Sequence, residues 1–143
     1  MSLLNYTTKK EPSDTISEIQ QMLVEYGVNG VLTEYDGRAV SSMSFKINID
    51  GNDRMFKMPC NWRGVHEIMK NDPKCGPKLR TEEQAIRVAW RIIKNWIESQ
   101  LAMVEVNMVT VPQVFLPYTV MPNGLTLGEH IEKKPEFLLN DKN

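Results

Sequence analysis

The chain has few cysteines and no long apolar run. Cys60 and Cys75 are the only cysteines among its 143 residues and form no C-x-x-C spacing, so neither a disulfide framework nor a structural zinc site is indicated. No apolar run approaches the roughly 18 residues that a membrane span needs, and residues 1–10 lack the apolar core of a secretory signal. Free thiols are typical of a reducing compartment, so we predict a cytoplasmic protein without membrane contact.

Catalytic signatures are missing as well. The sequence contains no G-x-x-x-x-G-K-[ST], G-x-G-x-x-G, G-x-S-x-G or H-E-x-x-H motif. Neither His66 nor His130 has a second ligand at metal-binding spacing, so we expect no metal and no cofactor. Cys60 and His66 are a conceivable nucleophile and base, but nothing orients the histidine, and a structural thiol is the ordinary case. We predict a protein that is not an enzyme.

What is present is an ordinary globular composition with an uneven charge. Hydrophobic residues make up 41% and charged residues 24%, which predicts one folded domain over residues 1–143. Within it, 1–12 is expected to be an irregular N-terminal segment and 135–143 a frayed tail. The net charge is −1, yet residues 54–94 hold ten Lys and Arg against four Asp and Glu. The middle of the chain is therefore basic and its ends are acidic.

Periodicity predicts an α+β fold. A T-x-x-E capping box at residues 15–18 opens an amphipathic helix that ends before Gly27. Strands are predicted at 31–35, 42–49 and 54–58, with glycine turns at 36–37 and 50–53 between them. Asn61 caps a short helix, Thr81 opens a long helix from 82 to about 106, and Thr110 and Thr126 open two short ones. The prediction is a three-stranded antiparallel meander packed by helices, in the order α-β-β-β-α-α with short C-terminal helices.

The main candidate site is the basic side of the long helix. Four cations are spaced so that they project within one narrow arc, namely Arg80, Arg87, Arg91 and Lys94, and Trp90 borders this arc. The cations can clamp phosphates, and the indole can stack on a base. The alternative is a solvated face with ordinary i,i+4 pairs, as between Glu83 and Arg87 or Lys94 and Glu98. Both interpretations stay open.

A second basic group surrounds the end of the third strand. It consists of Arg54, Lys57 and Arg63, followed by loop residues Lys70, Lys74 and Lys78. If this group joins the helix arc, the combined patch would neutralise several phosphates and binding would weaken steeply with salt.

The apolar segment 109–120 is the candidate for a protein interface. Phe115, Leu116 and Tyr118 supply aromatic and aliphatic anchors for a second copy of the chain or for a host protein. We expect a homo-oligomer on this basis. The alternative, in which the same residues pack onto the core, is equally compatible with the sequence.

Two segments carry a resemblance to a known family. Residues 88–98 (VAWRIIKNWIE) and 114–118 (VFLPY), followed by 122–127 (PNGLTL), resemble a family of small phage and prophage proteins, over about residues 6–132. The resemblance implies a phage origin, location in the cytoplasm of an infected or lysogenic bacterium, and no transferable active-site residue. Such accessory proteins are often DNA-metabolism helpers or antagonists of host defence, which suggests counter-defence by analogy alone.

These expectations give two hypotheses for the function. The first is a non-enzymatic protein that binds an anionic ligand, nucleic acid or a nucleotide signal, through its basic centre. The second is an inhibitor or adaptor that docks on a host protein through the apolar C-terminal surface.

Overall fold

A three-stranded antiparallel sheet forms the centre of the fold, and the prediction of a meander is confirmed. The computed structural model describes residues 3–139. Its strands are β1 (Val28–Asp36), β2 (Ala39–Ile49) and β3 (Asn52–Pro59), which lie side by side in that order. Gly37 (φ 64°) begins the first two-residue turn, and Asp50 and Gly51 form the second, both with positive φ. Turns with positive φ match the right-handed twist of the strands that they join.

Within residues 3–139, six helices accompany the sheet and confirm the α+β class. They are α1 (Pro12–Val24), α2 (Trp62–Asn71), α3 (Glu82–Glu105), α4 (Val111–Phe115), α5 (Leu127–Lys133) and α6 (Glu136–Leu139). Single 3-10 turns occur at Pro77–Leu79 and Leu116–Tyr118. Helix α6 falls inside the segment that was expected to be a frayed tail, and residues 140–143 lie outside the described range.

The predicted start of α1 is wrong. The helix begins at Pro12, whose fixed φ suits a first helical position, and Thr15 lies inside the helix with its backbone N–H bonded to the Glu11 carbonyl. Thr15 is fully buried. The T-x-x-E pattern at 15–18 therefore does not cap the helix, because its first residue already has an intrahelical partner.

The other predicted caps are at the helix starts. Thr110 and Thr126 form reciprocal capping boxes with Gln113 and Glu129. Thr81 caps α3 by accepting a hydrogen bond from the Gln84 backbone N–H at 3.1 Å. The Gln84 side chain does not complete this box. It donates instead to the carbonyls of Tyr6 and Thr8, which fastens the N-terminal segment to α3.

The core lies between the sheet and the two longer helices. One face of the sheet packs against α1 and α3, with buried side chains that include Met43, Phe45, Ile47, Phe56, Met58, Ile19, Leu23, Trp90, Ile97 and Leu101. Burying a side chain of this size contributes about 1.5–3 kcal/mol. A smaller cluster around Met69, Cys75, Ala85 and Val88 joins α2 to the other side of α3. Helix α3 is thus the element shared by both clusters.

The C-terminal segment covers the β3 edge of the sheet. The Val120 N–H donates to the Met55 carbonyl at 2.8 Å, and Thr119 forms a bridge with Phe56. Strand β1 is the opposite edge. No backbone hydrogen bond joins β1 to any segment except β2 within residues 3–139.

Candidate ligand-binding cleft

The cations of the predicted helix arc are paired with carboxylates. Arg87 contacts Glu11 at 3.1 Å, Arg91 contacts Glu18 at 2.5 Å, and Lys94 contacts Glu98 at 2.5 Å. Their side chains are only 25%, 15% and 13% exposed, in the same order. Two of the three pairs join α3 to the start of α1, so these arginines connect elements of the fold and offer little free charge to a polyanion.

Trp90 cannot serve as a base-stacking platform. It is fully buried, and its indole N–H donates to the Val40 carbonyl at 3.3 Å. The prediction failed because the arc that carries the arginines turns toward α1, while Trp90 faces the sheet. Arg80, the remaining member of the group, donates from Nη2 to the Asp72 carbonyl and is partly buried between α2 and α3.

The second basic group is divided between the two faces of the sheet. Arg54 and Lys57 are three residues apart on β3 and therefore project from opposite faces of the sheet. Lys57 pairs with Glu34 at 3.3 Å, while a hydrogen bond from Ser42 and then the Lys57 charge hold the pKa of Glu34 below its usual range. Arg63 pairs with Asp36 and lies 4.4 Å from the ring centre of Trp62. Only Arg54 among these three is without an ion pair in the described residues.

Two of the three predicted interface residues belong to the interior or its border. Phe115 is fully buried and contacts Phe45, Phe56 and Trp96, with ring centres 5.0 to 6.0 Å apart. It is therefore a core residue, and its prediction as an interface anchor is wrong. Tyr118 is partly buried with its ring 5.6 Å from Trp96. Leu116, in contrast, is 53% exposed.

Cys60 and His66 do not form a nucleophile and base. The Cys60 thiol is buried, which raises its pKa to about 12 and keeps it protonated at neutral pH. His66 Nε2 lies 3.0 Å from the Arg80 carbonyl, with which it shares a hydrogen bond. Within residues 3–139, no group of three His, Cys, Asp or Glu side chains is placed to hold a metal ion.

The structure contains a cleft of about 580 Å³ that the sequence did not predict. It lies between the first half of α1, the β1–β2 hairpin and the start of α3, and we call it the hairpin cleft. Its lining residues are Glu11, Pro12, Ser13, Ile16, Ser17, Gln20, Thr33, Tyr35, Arg38, Ala39, Val40, Glu83, Ile86 and Arg87. Clefts of roughly 300–1,000 Å³ are typical of small-molecule sites.

The hairpin cleft combines apolar, aromatic and charged groups. Ile16, Val40 and Ile86 supply apolar lining, and Tyr35 is 65% exposed at the hairpin. Arg38 is exposed and, within the described part of the chain, takes part in no ion pair. Arg87 reaches the same cleft while paired with Glu11. The lining of the cleft therefore includes both an exposed guanidinium and an exposed aromatic ring.

Of the eight predicted ligand-binding residues, only Arg87 lines this cleft. The sequence predicted a turn at 36–37, one residue from the observed turn at 37–38 that contains Arg38, but gave no sign that α1 would face this turn. The packing of α1 on α3 brings Glu11 and Arg87 together across 76 residues of sequence. A contact of such range has no local sequence signal.

Fold and cleft together define a small α+β protein with a ligand-sized concavity beside a sheet edge. No protein-family model, no curated protein and no solved structure matches the chain. No helix in residues 3–139 is both long and apolar enough to cross a bilayer.

Proposed function

We propose that this protein is a non-enzymatic binding protein that holds a small anionic ligand, of the nucleotide type, in the hairpin cleft. The single observation that carries the proposal is the lining of the hairpin cleft, which combines Arg38, exposed and without an ion pair in the described residues, with the exposed Tyr35 ring and apolar side chains. Tyr35 offers a stacking surface for a planar base. Arg38 offers paired N–H donors of the kind that recognise phosphate oxygens.

The mixed charge of the cleft favours a nucleotide over a simple anion. Two arginines and two glutamates line it, and one arginine and one glutamate form an ion pair. Glu83 can accept a hydrogen bond from an amino group on a base while Arg38 binds phosphate. A ligand with both donors and negative charge matches this lining, whereas a strongly charged polyanion does not.

Nucleic acid is the less favoured anionic ligand. Most cations of the basic middle are paired or dispersed over different faces, so no continuous track for a phosphate backbone is formed by the predicted residues. The resemblance to phage and prophage proteins adds to the proposal that the ligand is a bacterial nucleotide signal. Sequestering such a signal in the host cytoplasm would counter host defence without any catalytic step.

Isothermal titration calorimetry with nucleoside monophosphates and cyclic nucleotides tests this function. We expect one panel member to bind, and Arg38→Glu to weaken its affinity by about tenfold or more, because a phosphate then meets a carboxylate. Arg54→Glu is the matched control, since Arg54 is an exposed, unpaired arginine outside the cleft. Tyr35→Ala should cost about 1–3 kcal/mol of binding if a base stacks there. Failure of the whole panel to bind, or equal effects of Arg38→Glu and Arg54→Glu, contradicts the proposal.

A second candidate function is docking on a host protein. The surface that favours it lies at the C-terminal ends of α1 and α3, and not at the predicted segment 109–120. A hydrogen bond of 3.0 Å from the Tyr26 hydroxyl to Glu105 holds the C-terminal ends of α1 and α3 together. Exposed apolar side chains occur at or just after these two helix ends, namely Val24, Met103, Val106 and Met108. Met108→Lys should abolish co-purification of a defined host protein, with Leu116→Lys as the control. An unchanged complex would exclude this surface.

A further inference from the structure

Strand β1 is a free sheet edge that is interrupted by a register shift near each end and is regular over residues 30–34. Its sequence, VNGVLTEYD, contains no lysine, arginine or proline, and the opposite edge at β3 is covered by residues 119–120. An uncovered edge presents unpaired N–H and C=O groups, which another strand can bind. Leu32, in the middle of β1, is 58% exposed.

The regular part of β1 is symmetric about Leu32. Register shifts occur between Val28 and Gly30 and between Glu34 and Tyr35, which leaves residues 30–34 in regular pairing with β2. A second β1 strand, antiparallel and related by a two-fold axis at Leu32, places the two leucines opposite each other. The same axis places Gly30 of each copy opposite Glu34 of the other.

The charges at both ends of this pairing are complementary. The Lys46 side chain lies across Gly30, with Cε about 3.5 Å from the position that a Cβ atom of Gly30 would occupy. Glu34 of each copy would thus face Lys46 of the other, which gives one such contact at each end of the pair. Within its own chain, Glu34 lies 3.3 Å from Lys57, and Lys46 lies 3.9 Å from Asp53. Gly30, Leu32 and Glu34 lie on one face of the sheet, together with the β2 residues that pair with them. This face is turned away from the main core. No like charges stand opposite each other in this register.

We infer that two copies of this chain associate through their β1 edges, with Leu32 on the two-fold axis and Glu34 of each copy beside Lys46 of the other. The result is a continuous six-stranded antiparallel sheet. This inference does not rest on the proposed ligand, since it is carried by the backbone of residues 30–34 and by side chains on the sheet face opposite the hairpin cleft, although Thr33 of the same segment lines that cleft. Pairing of such a short segment buries less than the roughly 800 Å² per partner of a standard interface, so we expect a dimer that dissociates on dilution.

Sedimentation velocity of the full chain over a range of concentrations measures the association. Leu32→Lys places two ammonium groups on the axis and should raise the dissociation constant by about tenfold or more. Leu116→Lys is the matched control, because Leu116 is a similarly exposed leucine (53%) outside the sheet, and it should leave the dimer intact.

A charge-swap experiment separates pairing from misfolding. Glu34→Lys and Lys46→Glu each place like charges opposite each other in their own homodimers and should each weaken association. An equimolar mixture of the two variants restores opposite charges at both ends and should associate as the wild type does. A wild type that is monomeric at every concentration, a dimer that survives Leu32→Lys, or a mixture no stronger than its components would overturn the inference.

Discussion

At the scale of single residues, the groups that surround a side chain in the fold decide whether its charge or its ring is available to a ligand. Arg91 and Arg38 look equivalent in the sequence, yet Arg91 is 15% exposed and paired with Glu18, while Arg38 is exposed at a turn. Trp90 and Tyr35 differ in the same way, since only Tyr35 reaches solvent. For this reason Arg38 and Tyr35, and not Arg91 and Trp90, are available to a ligand.

Phe115 provides a direct test at this scale. Phe115→Ala removes a ring that contacts Phe45, Phe56 and Trp96, and should lower the free energy of unfolding by about 3–5 kcal/mol. Leu116→Ala, its exposed neighbour, should change that free energy by less than about 0.5 kcal/mol. Urea unfolding of both variants measures the difference. Equal and small effects would show that Phe115 is not a core residue.

Cys60 makes stability depend on alkaline pH. Burial raises the pKa of its thiol to about 12, whereas an unfolded cysteine ionises near 8.5. The unfolded state therefore loses this proton first, and the stabilisation is complete below about pH 8.5 and declines as the pH rises toward 12. Urea midpoints between pH 8 and about 10.5 should fall more steeply for the wild type than for Cys60→Ala. Parallel slopes would contradict the buried, protonated thiol.

Among the elements, the ion pairs between α1 and α3 fasten the helices that form the hairpin cleft. Arg91 contacts both Glu18 and Thr15, and its side chain is largely buried. A double-mutant cycle on Arg91 and Glu18 should give a coupling of about 1 kcal/mol. The cycle on Lys94 and Glu98, a pair within α3, is the control and should give about 0.3–0.5 kcal/mol. Equal couplings would mean that the α1 contact adds nothing beyond an ordinary helix pair.

The whole molecule has one main cluster of buried side chains that includes α1, the sheet, α3 and α4. The single-domain prediction then requires that these elements unfold together. Tryptophan fluorescence reports on α2 and α3, where Trp62, Trp90 and Trp96 lie, and far-ultraviolet circular dichroism reports on all helices. The two transitions in urea should coincide. A separate early transition would indicate that part of the chain folds as a second unit.

Local patterns were sufficient for most of the fold. Alternation in β2, the glycines of both turns and the caps Asn61, Thr81, Thr110 and Thr126 are short-range features, and each led to the correct element. The start of α1 was missed because a T-x-x-E pattern also occurs within helices. The proline at position 12 was the better signal for that end.

By itself, then, the sequence determined the elements, their order and the α+β class, because hydrogen bonds and side-chain periodicity within each element are local. Only the tertiary structure decided which basic residues are free. Arg87 meets Glu11 across 76 residues and Trp90 meets Val40 across 50, and both meetings follow from the packing of α1 and the sheet on α3. Charge and burial depend on such distant neighbours, so a site that rests on them cannot be located by spacing along the chain.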